Sequence, residues 1–331
     1  MRVAIAFVLL CPSLVLAQPT AAQKKETVKW ITGLEASNGG FYLAPQGPNI
    51  DAKPVPMLRA TNGAVRALKY LGADVPNKEK HAAFVLKCYD PKTGGFAEPG
   101  GKPDVTITSI GVMAAAELGI PHEKYARAMD YLKENAKTFE EVRIGAAAVE
   151  AWGVKDCPFK LDAWFKIARK EGEGIKDLDT RQFASVFAIF VRLGENPFGP
   201  LDPRPKQEPE PKPNPTRFQL VPEWIVSAPP ILFDVTEESF ARAILSIGQR
   251  DDGGWGKKGE KASDIETTYR VMRALMLLKG KPEDAKKLRE FIDAHRNKDG
   301  GYATKPGDKS SMSGAYYCVI VSKWLDEMEK K

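Results

Sequence analysis

Asp251-Asp252-Gly253-Gly254-Trp255-Gly256-Lys257-Lys258-Gly259-Glu260-Lys261-Ala262-Ser263-Asp264-Ile265-Glu266-Thr267-Thr268-Tyr269-Arg270-Val271-Met272-Arg273-Ala274-Leu275-Met276-Leu277-Leu278-Lys279-Gly280 reads as a glycine turn with one aromatic, a short basic loop and a helix. Asp264 and Thr268 are residue types whose oxygens accept from the free N–H groups of a first helical turn. Gly280, just past the apolar run, is the expected left-handed stop.

The unit recurs. Asn38-Gly39-Gly40-Phe41 leads to Thr61 and an apolar run ending in Leu71-Gly72. Thr93-Gly94-Gly95-Phe96 leads to Asp104, Thr108 and Leu118-Gly119, and Asp299-Gly300-Gly301-Tyr302 leads to Ser311, Ala315 and Leu325. Counted back ten residues from Leu71, Leu118, Leu278 and Leu325, the chain places Thr61, Thr108, Thr268 and Ala315. A repeat of roughly 40 to 55 residues implies stacked supersecondary units, none able to bury its apolar face alone.

Between the copies, helical patterns alternate in kind. Segments after a turn are nearly apolar, as in Ile144-Gly145-Ala146-Ala147-Ala148-Val149 and Phe187-Ala188-Ile189-Phe190-Val191. Segments before a turn carry one apolar face, as in Ala241, Ile244, Leu245 and Ile247 opposite Glu238, Arg242 and Arg250. Apolar helices belong inside and one-faced helices outside. The reading is all-α: six inner and six outer helices as a closed ring of hairpins. The third and fourth units lack the Gly-Gly turn.

Composition sets the remaining limits. At 331 residues and 43% hydrophobic, the chain can bury a large core. Met1 to Ala17, with Arg2, the apolar run Val3 to Leu10 and Val15-Leu16-Ala17, reads as a secretory signal, placing the protein outside the cell or in a periplasm. Leu10 before Cys11 argues against a lipid anchor, and no other run is long enough to span a membrane. Cys88, Cys157 and Cys318 allow at most one disulfide and no cysteine zinc cage. The net charge of +6 is dispersed rather than striped, which argues against nucleic acid. Repeats one to four occupy 24–194 and repeats five and six 236–331, around a proline-rich insertion at 195–235 that reads as extended and partly polyproline-like. The whole forms one toroid domain.

Gly-Gly-aromatic, a loop, Asp, then Thr or Ser four residues later and a helix ending in Leu-Gly resembles the repeat of protein prenyltransferase beta subunits and of squalene and oxidosqualene cyclases. The resemblance covers nearly the whole mature chain and is specific in four of the six units. It implies an alpha-alpha toroid of six hairpins around a largely apolar cavity. For the prenyltransferases it further implies a zinc held by Asp, Cys and His, basic residues on an isoprenoid diphosphate, and a partner subunit. Asp264 matches the zinc Asp, but Glu266 stands where the Cys belongs, Gly314 where the His belongs and Ser311 where its accompanying Asp belongs. No metal centre is therefore expected, zinc being the only candidate. Lys258 and Lys261 stand where the family places cations on the diphosphate; two solvated lysines in a polar turn are the plainer reading.

Asp264-Ile265-Glu266-Thr267-Thr268 also resembles, faintly, the acidic motif with which the cyclases protonate an alkene. That chemistry needs a carboxylic acid kept neutral. Asp264 and Glu266 are the candidate catalytic residues; Asp264 has an architectural alternative as a cap, because Asp104 occupies the equivalent place in the second unit. Trp255, Phe96, Tyr302 and Thr268 complete the candidate ligand contacts, with packing beneath each turn as the other reading. The expected function is binding of a hydrophobic, isoprenoid-like ligand or a peptide in the central cavity, without the family's zinc. The alternatives are an active prenyltransferase of the geranylgeranyl transferase beta type and a polysaccharide-processing toroid enzyme, which would need paired carboxylates or a base beside Arg or Lys.

Overall fold

The computed structural model describes residues 19–45, 54–173, 179–196 and 237–330; the stretch read as a secretory signal and nearly all of the stretch read as an insertion lie outside the described residues. Within them the chain forms α1 (Ala21–Thr32), α2 (Leu58–Tyr70), α3 (Lys78–Lys87), α4 (Val105–Glu117), α5 (Arg127–Asn135), α6 (Phe139–Trp152), α7 (Asp162–Glu173), α8 (Thr180–Arg192), α9 (Glu237–Ile247), α10 (Ile265–Leu277), α11 (Ala285–Asp293) and α12 (Met312–Glu329). Strand-like pairing among them is confined to isolated bridges such as Tyr89 with Phe96.

The even-numbered helices form an inner ring: α2 packs on α4, α4 on α6, α6 on α8, α8 on α10, α10 on α12, and α12 back on α2. The odd-numbered helices lie outside, most against the inner helices on either side of them. This is the expected alpha-alpha toroid. The division follows side-chain character: α4 buries Val105, Ile107, Val112, Met113, Ala114 and Ala115, whereas α5 buries only Ala128, Met129 and Leu132. On α9, Ala241 and Leu245 are buried but Ile247, read onto the same face, is exposed, because two further residues rotate it about 200° away from Leu245.

The glycine turns lock the ring. Gly39, Gly94, Gly253 and Gly300 have φ between 86° and 88°, open to glycine at little cost. A Cβ on each would meet the next outer helix: Lys80 O at 2.4 Å, Arg127 O at 2.6 Å, the Lys287 carbonyl at 2.2 Å and Glu26 O at 3.0 Å. The last contact closes the circle, since Glu26 lies on α1. There Thr27 Oγ1 donates to Gly300 O at 2.8 Å and Trp30 Nε1 to Asp299 Oδ2 at 3.1 Å.

Under three of the four turns, an inner-helix threonine holds the aromatic. The N–H groups of Phe41, Phe96 and Trp255 donate to the hydroxyls of Thr61, Thr108 and Thr268, each at 3.0 Å. These N–H groups are buried, so losing the partner leaves an expensive unpaired donor. In the fourth copy Ala315 replaces the threonine, and Tyr302 keeps the bond from Ser311 N–H to its carbonyl at 2.8 Å, the counterpart of Asp264 N–H donating to Trp255 O at 3.0 Å.

One helix stop differs from expectation. Gly72, Gly119 and Gly194 follow their terminal leucines with positive φ, but after Leu278 the left-handed residue is Lys279, at φ 56°. Gly280 is instead selected by space, because a Cβ there would lie 2.9 Å from the Arg242 side chain. Cys88, Cys157 and Cys318 are free, with Cys88 and Cys318 buried.

Replacing Thr108 by Val, its near isostere, should cost roughly 1–3 kcal/mol through the unpaired Phe96 N–H. Urea denaturation reads this directly; a variant as stable as the parent would remove the threonine from the fold's supports.

Candidate functional site

The inner ring encloses a cavity of about 540 Å³, within the range that holds one small-molecule ligand. It exists because Ala60, Gly63, Ala116, Ala147, Ala151 and Ala188 project little from their helices. Ile110, Met113, Ile144, Ile189 and Met312 form apolar stretches of wall. The cavity is not largely apolar, however. Arg59, Arg66, Lys69, Arg143, Arg192, Arg270 and Arg273 line it, against Glu117, Glu150 and Glu266. A charged side chain on a helix otherwise packed on neighbours can stay ionised only by facing such a space or a partner, and here the cations exceed the carboxylates.

Two ion-pair clusters organise these charges. In one, Arg270 on α10 donates to Glu140 on α6 at 2.9 and 3.2 Å and to Glu266, one turn back on its own helix, at 2.7 Å. Arg143 donates to Glu140 at 2.8 Å, and Arg181 lies 3.5 Å from Glu266. Burial alone would raise both carboxyls, but the arginines overturn it: Glu140 is held down at about 2 and Glu266 is lowered. In the other, Arg273 donates to both oxygens of Glu150 at 2.5 and 2.7 Å, and Arg192 lies 3.5 Å from the same carboxylate. Arg66 is 3.8 Å from Glu117, which also pairs with Lys69. Among the described residues the Nε–H groups of Arg66, Arg192 and Arg273 and the Asn62 amide oxygen are buried with no hydrogen-bond partner.

Tyr269 sits within the second cluster. Its hydroxyl is 3.3 Å from that of Tyr316, and its ring packs at 5.0 Å from Tyr317 and 5.4 Å from Trp324. Burial would raise the phenol, but Arg192, Arg66, the Tyr316 hydrogen bond and Arg273 draw it down to about 8. Tyr316, raised well above its ordinary value by burial, keeps its proton.

Of the residues singled out in the sequence, only Glu266 reaches the cavity wall, and it is there as an arginine partner. Asp264 is the N-cap of α10: its Oδ1 accepts from Thr267 N–H at 2.8 Å, as Asp104 Oδ1 accepts from Ile107 N–H at 2.7 Å. Trp255, Phe96 and Thr268 are fully buried beneath their turns, and the Trp255 indole donates outward to Leu245 O at 2.8 Å. Tyr302, also buried, borders only a crevice of about 20 Å³. All four are taken up by the turn architecture, and none is part of the wall of the 540 Å³ cavity. Lys258 and Lys261 are exposed in the loop before α10 and contribute nothing to the cavity wall. Sequence reasoning missed Arg66, Arg192, Arg273 and Tyr269. Their signal was arginine on helices otherwise apolar enough to be inner ones.

Residues 1–142 and 224–330 match the prenyltransferase alpha-alpha toroid domain, more than half of the chain. The chain belongs to the prenyltransferase alpha-alpha toroid family. Comparison with curated proteins finds no match. Among solved structures, a protein from Actinoplanes is similar at 11% identity and TM-score 0.53, covering 93% of this chain and 99% of its own. The type II terpene cyclase MstE from Scytonema, as a variant bound to its product merosterolic acid A, is similar at 11% identity and TM-score 0.54, covering 92% and 96%. A glycosidase variant in complex with glucose is similar at 14% identity and TM-score 0.51, covering 93% and 96%. At such identities the likeness concerns the fold alone.

Neither chemistry read from the family resemblance fits the residues present. Where the prenyltransferases place their zinc histidine, a Cβ on Gly314 would lie 2.4 Å from Tyr302 O, so no side chain fits. Asp264 is engaged as a cap and Glu266 with Arg270, and among the described residues no three His, Cys, Asp or Glu side chains gather as a metal site. The cyclase reading requires an acid held neutral, whereas Glu266 and Glu140 are held ionised.

Asp264→Ala should lower stability by about 1 kcal/mol, and Asp264→Ser should restore most of it. A thermally unchanged Ala variant with altered ligand binding would return Asp264 to the site. Tyr269 should ionise first among the tyrosines in an ultraviolet pH titration, near its shifted value of about 8. Tyr269→Phe should remove that step; a titration beginning only at the ordinary value of about 10 would show that the arginines do not act on it.

Proposed function

We propose that the central cavity binds a small organic anion, its acidic group seated on Arg66, Arg192 and Arg273. The observation that carries this reading is the convergence of cationic side chains from α2, α6, α8 and α10 on one cavity, in excess of the carboxylates that line it. Arginine is suited to the role because its planar fork matches carboxylate and phosphate oxygens. The Nε–H groups of Arg66, Arg192 and Arg273 make no hydrogen bond, those of Arg66 and Arg192 standing 3.8 and 3.5 Å from Glu117 and Glu150 without donating to them. From the apolar leader at 1–17 we further propose that the protein acts after export.

A second reading rests on the apolar wall of Ile110, Met113, Ile144, Ile189 and Met312. It makes the ligand isoprenoid-like, with its acidic head on the arginines. MstE, solved with geranylgeranyl dihydroxybenzoate as substrate, shares the fold. Both readings require the anion and differ in what is attached to it.

Isothermal titration separates them, using pyrophosphate, galacturonate, farnesyl diphosphate and farnesol. The anions should bind, more weakly as salt is added, and Arg192→Gln should weaken binding by about tenfold or more through loss of a charge-assisted hydrogen bond. Affinity should fall as pH rises through about 8: below it Tyr269 is neutral, and above it the phenolate competes for the same arginines. Farnesyl diphosphate binding far more tightly than pyrophosphate would select the second reading. Binding of farnesol with none of the anions would overturn both.

A further inference from the structure

We propose that Tyr269 is the proton-transfer residue of this cavity and that the substrate class is a uronate, a sugar acid cleaved by β-elimination at the C–O bond one carbon from its carboxylate-bearing carbon. The proposal rests on the anion-binding reading and deepens it. Three features of the geometry point to it together.

First, a carboxylate seated on Arg66, Arg192 and Arg273 would have its charge offset, which acidifies the C–H beside it and stabilises the charge that develops as the proton leaves. Second, a base must stand at the same place. Tyr269 lines the cavity one helical turn before Arg273, and Tyr316, Tyr317 and Trp324 fix its ring. Its charged surroundings come from Arg66 on α2, Arg192 on α8 and Arg273 on its own helix, with Glu150 of α6 bonded to Arg273 and Tyr316 and Tyr317 facing it from α12. They lower its phenol to about 8, where a base and its conjugate acid are both accessible near neutral pH. Glu140 and Glu266, held as arginine-paired carboxylates, are too weakly basic to compete. Third, Asn62, 7% exposed, carries a buried amide oxygen without a hydrogen-bond donor. A hydroxylated ligand would supply that donor and an isoprenoid chain would not.

The step balances without a further reactant. The Tyr269 phenolate takes the proton from the carboxylate-bearing carbon, and the C–H electron pair becomes a carbon–carbon double bond. The neighbouring C–O bond breaks with its pair on the leaving oxygen, which recovers a proton from the Tyr269 phenol. One acidic sugar with a conjugated double bond and one alcohol result.

The test uses the full mature chain with short oligogalacturonides and oligomannuronides, titrated calorimetrically and then followed by ultraviolet absorbance of the new double bond and by deuterium exchange at the carbon beside the carboxylate. The expected result is binding, absorbance growth and a kcat that rises with pH up to the Tyr269 ionisation while affinity falls. Tyr269→Phe, checked for an unchanged melting curve, should bind within a few-fold of the parent yet lose at least about 100-fold in kcat. Uronides that bind with neither elimination nor exchange, or a Tyr269→Phe variant of undiminished kcat, would overturn the proposal while leaving the anion site intact. Failure of uronide, pyrophosphate and farnesyl diphosphate alike to bind would remove the anion site itself.

Discussion

The close approach of each glycine turn to the next outer helix is the constraint on which the ring depends. At Gly39, Gly94, Gly253 and Gly300 a Cβ would lie 3.0 Å or less from the next outer helix, so each turn acts as a spacer of fixed and minimal thickness. With the threonine hydroxyls beneath three of them, the turns set how far an outer helix stands from its inner partner. Repetition of one spacing around a circle brings Gly300 onto α1, and closure needs no capping repeat.

A ring of this kind leaves its centre to be defined by side-chain size. Alanine and glycine on the inner faces of α2, α4, α6 and α8 open the cavity, and the same small residues leave room for arginines to extend across it. Burying so many cations would be prohibitive without partners. Glu140, Glu150 and Glu266 offset part of the charge, and each bridges two inner helices in doing so: Glu140 and Glu150 tie α6 to α10 past the intervening α8, and Glu266 ties α10 to α8. What they leave uncompensated falls on Tyr269, whose phenol the arginines pull toward ionisation. Shape and electrostatics of the site are thus one property of the inner helices.

The family's fold and its chemistries separate here. MstE and a glycosidase variant share the fold at similar overall likeness, and one fold can carry unrelated chemistries. In this chain the position of the prenyltransferase zinc histidine is occupied by the backbone approach of Gly314 to Tyr302, and the acidic pair at the start of α10 serves as a cap and an arginine partner. The arginine and tyrosine cluster is drawn instead from α2, α8 and α10.

The fold was legible in the sequence because its signals are local and repeated. Gly-Gly-aromatic needs a particular backbone, Asp104 and Asp264 cap the helix that follows them, and apolar or one-faced helices sort themselves inside or outside. The left-handed stop after Leu278 escaped, because register places Lys279 at the position that Gly72 and Gly119 fill elsewhere. The site was barely legible, for the same physical reason that made the fold clear: residues marked by the repeat, Trp255, Phe96, Tyr302 and Thr268, are those the repeat buries. Arg66, Arg192, Arg273 and Tyr269 stand on three different helices at unrelated points in the chain. The sequence by itself determined that helices would pair and close into a ring, since each turn, cap and apolar face is specified within a few residues. Only the tertiary structure decided that these four side chains meet, because their electrostatic coupling exists through space, across a cavity that closure of the ring creates.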